Sequence, residues 1–101
     1  MEIKPLDVIW SKTALHQLHQ VFKYISEDSP KNAKMVVSDI VEATDKLTKF
    51  SERHPKDKFK KSNKGDYRAF ELHRIRIAYR ITKQKIKISR VRHTSREPLI
   101  Y

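Results

Sequence analysis

The chain has 101 residues, of which 38% are hydrophobic and 35% charged, so it is large enough for one domain with a modest core and too small for two. It contains no cysteine, which excludes a disulfide framework and a thiolate nucleophile and fits a reducing cytoplasm. No apolar run approaches the roughly 20 residues that a transmembrane helix needs, and the N-terminal residues lack a signal-peptide pattern. We therefore expect a single cytoplasmic domain over residues 1–101, with no membrane association.

The net charge of +11 is unevenly distributed along the chain. Residues 1–52 contain seven Lys, no Arg and eight acidic residues, a net charge of −1, whereas residues 53–101 contain eight Lys, eight Arg and four acidic residues, a net charge of +12. Arginine binds phosphate through paired N–H donors, and a one-sided positive field attracts polyanions. The distribution predicts a phosphate-rich partner for the second half, the alternative being a generally basic protein with chance clustering.

The first elements are predicted to be a strand and a helix. Residues 2–9 are apolar enough for a short strand, and Pro5 favours a position at the sheet edge because proline cannot donate a ladder hydrogen bond. Ser11 can cap a helix, and the apolar residues that follow recur at spacings of three and four. This pattern predicts an amphipathic helix that ends near Glu27.

A second helix is predicted directly after the first. Ser29 is a suitable N-cap, and Pro30 suits the first helical position because its missing N–H has no partner there. A period of 3.6 then continues to about Ser51, and Pro55 is expected to enforce the end of the helix. Because the connection is very short, the two helices should form an antiparallel hairpin.

The second half of the chain is predicted to form a loop and three strands. Residues 53–66 are polar and lysine-rich, which predicts a surface loop with one turn around Phe59. Apolar and polar residues then alternate over three stretches joined by connections short enough for hairpins, namely residues 68–73, 75–81 and 85–92. Val91 falls out of this alternation, which predicts a β-bulge near Ser89–Arg90.

These elements predict an α+β fold with the order β-α-α-β-β-β. The helical hairpin should pack on one face of a mainly antiparallel sheet, giving a two-layer sandwich. Its apolar sheet face would comprise Ile75, Ile77, Tyr79, Ile81, Ile86 and Ile88. The opposite face would present Arg76 and Arg80, either as a functional surface or as an ordinary solvated sheet face.

The residue types in the second half suit cleavage within RNA. That reaction needs proton transfer at the 2′-hydroxyl and 5′-oxygen, and cations around the pentavalent phosphorane. His93 can transfer protons near neutral pH, and it is flanked by arginines. The full candidate set is Arg68, Arg76, Arg80, Arg92, His93, Arg96 and Tyr101, with the loop lysines Lys56, Lys58, Lys60, Lys61 and Lys64. The histidines have no metal-ligand spacing, so we expect no metal and no cofactor.

Several stretches together resemble the RelE/ParE superfamily of type II toxin–antitoxin toxins. They are IWSKTALHQLHQVFKYI, DSPKNAKMVV, YRAF, IRIAYRI and ISRVRHTSREPLIY, and they span nearly the whole chain. The resemblance implies the β-α-α-β-β-β fold and a small bacterial toxin that is neutralised by a cognate antitoxin. We expect that antitoxin to be acidic and partly disordered, and to mask the basic face.

The resemblance also implies two alternative activities. RelE-like members cleave mRNA in the ribosomal A site, whereas ParE-like members inhibit DNA gyrase and lack the nuclease residues. The set Arg76, His93, Arg96 and Tyr101 matches the RelE-like catalytic group, which favours a ribosome-dependent mRNA endonuclease. In that hypothesis the backbone of mRNA or rRNA is bound by Arg68, Arg80, Arg92, Lys58, Lys60, Lys61 and Lys64. Gyrase inhibition is the alternative, and an inactive antitoxin-binding relative is a third.

Overall fold

A computed structural model describes residues 5–95 of the chain, and within that range the predicted order of elements is confirmed. The strands are β1 (Asp7–Trp10), β2 (Tyr67–Leu72), β3 (Ile75–Ile81) and β4 (Lys85–His93). The helices are α1 (Lys12–Ser26) and α2 (Pro30–Asp45), and a short 3₁₀ helix (Lys46–Thr48) follows α2. The fold is therefore an α+β sandwich of a helical hairpin on a sheet. No helix in residues 5–95 is both long enough and apolar enough to cross a bilayer.

The four strands lie in the order β1-β4-β3-β2. β1 pairs in parallel with β4, and the other two pairings are antiparallel, so the sheet is mixed. β1 is an edge strand, as predicted, but it begins at Asp7 rather than near residue 2, and residues 1–4 lie outside the described range.

Side-chain caps begin both α-helices, as the sequence predicts. Ser11 Oγ accepts a hydrogen bond from the Ala14 N–H at 3.0 Å, and Ser29 Oγ accepts one from the Asn32 N–H at 3.1 Å. Each bond satisfies a backbone donor that has no partner inside its helix. Pro30 occupies the first turn of α2.

The prediction that α2 continues to Ser51 is wrong. The α-helix ends at Asp45, and the 3₁₀ turn that follows buries Leu47 completely. The Thr48 carbonyl then accepts a hydrogen bond from the Leu6 N–H at 3.1 Å, which attaches this turn to the segment before β1. The helix thus ends well before Pro55, and the turn that follows it is held by tertiary contacts.

The core lies between the helical hairpin and the predicted sheet face. The largest fully buried hydrophobic side chains are Ile40, Leu47, Ile75, Ile77, Tyr79, Ile86 and Ile88. Burial raises the pKa of Tyr79 to about 12. Its hydroxyl consequently stays protonated and donates a hydrogen bond to the Ser51 carbonyl at 2.7 Å, which satisfies the one polar group of this core residue.

The predicted bulge is confirmed at Ser89. Ala78 pairs with Arg90 and Tyr79 pairs with Ile88, so Ser89 is the extra residue of β4. Its hydroxyl donates to the Ala78 carbonyl at 3.2 Å. The extra residue restores the alternation, because Ile88 and Val91 can then both face the helices.

Candidate functional site

The sheet face away from the helices, here called the open face, collects basic side chains from three strands. The pairing registers place Glu71, Arg76 and Arg92 in one row, and Tyr67, Arg80 and Lys87 in another. Because side chains alternate between the two faces of a strand, Lys85 and Arg90 belong to this face as well. The structure thus brings together three arginines of the predicted set, at positions 76, 80 and 92.

Arg76 is held by groups of the protein itself. Its Nη2 donates to Asp57 Oδ1 at 2.9 Å, and its Nη1 lies 3.6 Å from Glu71 Oε1. The guanidinium carbon is 4.7 Å from the centroid of the Phe59 ring. Asp57 is only 3% exposed, so this is a largely buried ion pair. The pair fixes the loop of residues 55–66 against the sheet.

Arg68 belongs to the other face of the sheet. It pairs with Tyr79, whose side chain is in the core. Its Nε donates to the Gly65 carbonyl at 3.2 Å, and its Nη1 donates to the carbonyls of His54 at 2.7 Å and Glu52 at 3.3 Å. The guanidinium group therefore connects two ends of the loop through backbone oxygens.

His93 also lies on the helix side of the sheet. It pairs with Ile75, whereas Arg92 pairs with Arg76. His93 Nδ1 accepts a hydrogen bond from the Ser95 N–H at 3.2 Å and lies 2.7 Å from Ser95 Oγ. Arg76 and His93, the described half of the predicted catalytic group, thus project from opposite faces. Arg96 and Tyr101, the other half, lie outside the described residues.

Two aromatic rings position several of the predicted nucleic-acid-binding cations. Lys60 Nζ is 4.8 Å and the Arg80 guanidinium carbon 5.3 Å from the Tyr67 ring centroid. Lys58 Nζ is 5.2 Å from the Phe59 ring centroid. Lys61 and Lys64 are exposed on the same loop. The rings favour these arrangements because their faces carry negative charge density.

Asn63 and Gly65 shape this loop, and neither was among the predicted site residues. The Asn63 amide donates to the carbonyls of Asp57 at 3.1 Å and Tyr67 at 2.8 Å. Its Oδ1 accepts from the N–H groups of Gly65 at 2.9 Å and Tyr67 at 3.3 Å. Gly65 has φ +108°, a conformation that glycine adopts without strain. The Asn-x-Gly spacing in a polar stretch was the available sequence signal.

The loop also covers part of the outer edge of β2. The Asp57 N–H donates to the Tyr67 carbonyl at 2.9 Å, and the Ala69 N–H donates to the Pro55 carbonyl at 3.2 Å. Lys56 forms an isolated antiparallel bridge with Arg68. The loop of residues 55–66, here called the lysine loop, is therefore attached to the sheet by backbone hydrogen bonds.

A cleft of about 680 Å³ lies beside this edge, between α2, residues 53–55 and β2. Charged side chains of both signs line it: Asp39, Glu42, Lys46, Arg53, Glu71 and Arg76. His54 stacks on Phe70 with ring centroids 4.5 Å apart. Burial, and secondarily the charge of Arg53, lowers the pKa of His54, which keeps its ring neutral at pH 7. In residues 5–95 no cluster of three or more His, Cys, Asp and Glu side chains has the arrangement needed to hold a metal ion.

Comparisons with known proteins identify a family and two similar folds. The family model described as the ParE toxin of the type II toxin–antitoxin system parDE matches residues 8–98. No curated protein sequence matches the chain.

Two solved structures share the fold. The chain is similar to a chromosomal ParDE toxin–antitoxin protein from P. aeruginosa, with 20% identity and a TM-score of 0.70, over 90% of this chain and 98% of that one. It is also similar to a chain of the RelBE2 toxin–antitoxin complex from Mycobacterium tuberculosis, with 22% identity and a TM-score of 0.61, over 88% of this chain and 98% of that one.

Proposed function

Because the chain belongs to the ParE toxin family of type II toxin–antitoxin systems, we propose that it is a toxin that inhibits DNA gyrase in the cytoplasm without cleaving RNA. The observation that carries this proposal is the separation of Arg76 from His93 by the sheet. The other expected activity, mRNA cleavage, requires these two residues at one phosphate.

The separation matters because the chemistry is local. A proton-transferring histidine must lie within hydrogen-bond reach of the 2′-hydroxyl or the 5′-oxygen, and the stabilising cation must contact the same phosphorane. Side chains that project from opposite faces of a sheet point away from each other and do not converge on one phosphate. The ion pair of Arg76 with Asp57 adds a second obstacle, since releasing Arg76 would leave a buried carboxylate without its counter-charge.

The proposed partner in the resting state is a cognate acidic antitoxin. The similar solved structures come from toxin–antitoxin systems, ParDE and RelBE2. The net charge of +12 in residues 53–101 of this chain gives an acidic segment a complementary surface. The antitoxin would mask the open face until it is removed.

Ribosome-dependent mRNA cleavage is the second candidate function. It is favoured by the grouping of Arg76, Arg80 and Arg92 on one face, because arginines can hold the charge of a phosphorane. Its catalytic group would be Arg76, His93, Arg96 and Tyr101. This function would require Arg76 to leave Asp57, and His93 to act from the opposite face.

Expression of the toxin alone in growing bacteria separates the two functions. We expect growth arrest with an induced DNA-damage response, and no new 5′ ends within codons when cellular mRNA is mapped. His93→Ala should remain as toxic as the native chain, because gyrase inhibition as proposed here requires no proton transfer by the imidazole of His93. New mRNA ends that disappear in His93→Ala would contradict gyrase inhibition and support the nuclease.

A further inference from the structure

We infer that the open face and the lysine loop bind the phosphate backbone of duplex DNA, so that the toxin contacts the DNA held by gyrase; the identity of that DNA rests on the proposed function. The cations that carry the inference are here called the cation surface: Lys58, Lys60, Arg80, Lys85 and Lys87. They come from the loop of residues 55–66 and from the open faces of β3 and β4.

Three of the five side chains of the cation surface, those of Lys58, Lys60 and Arg80, are held by contacts within the protein before any ligand arrives. The Tyr67 ring has Lys60 and Arg80 within 4.8 and 5.3 Å of its centroid, and Arg80 Nε also donates to Asp66 Oδ2 at 3.1 Å. A lysine side chain ordinarily loses much rotamer entropy when it binds a phosphate. Contact with an aromatic ring reduces that loss and thereby favours binding.

The loop that carries the lysines is similarly fixed. Its centre is Asn63, whose side chain makes four hydrogen bonds to backbone groups of the loop and β2. Its far end is attached by the Ile81 N–H, which donates to the Asp66 carbonyl at 2.7 Å. The loop can therefore present its cations without folding on contact.

The acidic residues nearby offset only part of this charge. Asp57 is buried and paired with Arg76, outside the cation surface. Asp66 is paired with Arg80, and Asp7 lies opposite Lys85 in the register of β1 and β4, so the five cations still outnumber these two acids. Lys85 and Lys87 are exposed on β4, next to the parallel edge strand β1. A surface of this kind releases counterions from a polyanion when it binds, which supplies most of the affinity of sequence-independent DNA binding.

The use of the aromatic rings favours duplex DNA over single-stranded RNA. Proteins that bind single strands stack the unpaired bases on exposed aromatic faces. Here Tyr67 and Phe59 pack against cations of the protein, and the residues in the same row as Tyr67 on β3 and β4 are Arg80 and Lys87. This arrangement contacts phosphates rather than bases, as a duplex backbone requires.

Fluorescence anisotropy with the purified toxin and a labelled random-sequence duplex of about 20 base pairs tests the inference over a range of salt concentrations. The test variant is the double substitution Lys58→Gln and Lys60→Gln. The control is Lys12→Gln and Lys34→Gln, which removes the same charge from exposed positions on α1 and α2. We expect the test variant to flatten the slope of log K against log salt by about 2, and the control to retain the native slope.

A second pair of variants tests the aromatic organisation. Tyr67→Phe keeps the ring and should bind the duplex as the native chain does, whereas Tyr67→Leu should bind about tenfold more weakly at the same net charge. The inference would be overturned if these two variants bound with equal affinity, or if the test and control double variants gave equal slopes. Tighter binding of a single-stranded RNA of the same length would also overturn it.

Gyrase supercoiling, measured with the same proteins, separates this inference from the proposed function. Native toxin that inhibits gyrase but does not bind the duplex overturns only the DNA surface. Native toxin that binds the duplex with the expected variant pattern, yet leaves gyrase active, supports the surface and overturns the proposed function.

Discussion

Arg76 uses its guanidinium group to hold the loop of residues 55–66 against the open face of the sheet. Its partner Asp57 is almost fully buried, and its second partner, Glu71, is mostly exposed. Ion pairs at these two depths differ in energy, because the loss of one partner from a buried pair leaves a desolvated charge, whereas water screens an exposed pair. The two carboxylates therefore form a matched comparison around one arginine.

We predict that Asp57→Ala lowers the free energy of unfolding by about 3 kcal/mol, and that Glu71→Ala lowers it by less than about 1 kcal/mol. Urea denaturation followed by circular dichroism measures both values. A similar loss in the two variants would show that burial of the Arg76–Asp57 pair does not govern the stability of the loop.

His54 packs its ring against Phe70 and Tyr79 in the cleft, where burial lowers its pKa below the ordinary value of 6.5. In the unfolded chain this histidine takes up a proton as the pH falls through about 6.5, while the folded chain resists protonation until a lower pH. The unfolded state then binds more protons than the folded state. The free energy of unfolding therefore decreases as the pH is lowered through that window.

We predict that His54→Phe, which preserves the stacking, reduces this loss of stability between pH 7 and the lower pKa of the folded state. Chemical denaturation at several pH values measures the difference from the native chain, so that contributions of the other histidines cancel. His16→Gln, at an exposed position on α1, is the control for the loss of a histidine outside the cleft. An unchanged profile in His54→Phe would contradict the assignment of this pH dependence to the partly buried ring of His54.

At the scale of elements, the β2–β3 hairpin has an unusual turn. Its two central residues, His73 and Arg74, have φ values of 53° and 62°, which residues other than glycine rarely adopt. His73 Nε2 lies 2.7 Å from Asp39 Oδ2, so the turn is connected to α2. Arg74 has a backbone conformation typical of the second position of a type I′ turn, where glycine is preferred.

We predict that Arg74→Gly raises the free energy of unfolding by about 1 kcal/mol, because it removes the clash of the Cβ atom in the left-handed region. Arg74→Ala retains the Cβ atom and loses the same charge, so it should give no such gain. Thermal unfolding compares the two variants with the native chain. Equal melting temperatures for the two variants would show that the loss of charge, and not the backbone conformation of residue 74, accounts for the change in stability.

The elements themselves follow from the sequence because their physical causes are local. The spacing of apolar residues determined the helices and strands, the caps determined the two helix starts, and the phase of Val91 revealed the bulge at Ser89. The end of α2 did not follow, and the 3₁₀ turn that replaces the predicted last helical turn is bonded through Thr48 to Leu6, which is distant in sequence. Local periodicity carries no information on such contacts.

The candidate site followed from the sequence only in part. The alternation in β3 correctly placed Arg76 and Arg80 on the open face. The bulge that returns Val91 to the core also turns His93 to the helix side. This orientation follows from the alternation after the bulge, but the predicted catalytic group did not take it into account. The Arg76–Asp57 pair is a tertiary contact between a strand and a loop, and no local pattern indicates it.

For the whole molecule, the segregation of charge along the chain becomes a segregation in space. Both helices belong to the half with a net charge of −1, and strands β2, β3 and β4, with the lysine loop, belong to the half with a net charge of +12. Because the helices pack on one side of the sheet, the positive charge concentrates toward the other. This polarity suits the proposed function, in which an acidic antitoxin neutralises the toxin and the toxin acts beside DNA.

Titration of the purified toxin into a gyrase supercoiling reaction tests the central claim most directly, with an mRNA-programmed translation reaction run in parallel at the same concentrations. We predict a dose-dependent loss of supercoiling, while the mRNA in the translation reaction stays intact. Cleavage of the mRNA with supercoiling unaffected would contradict the claim.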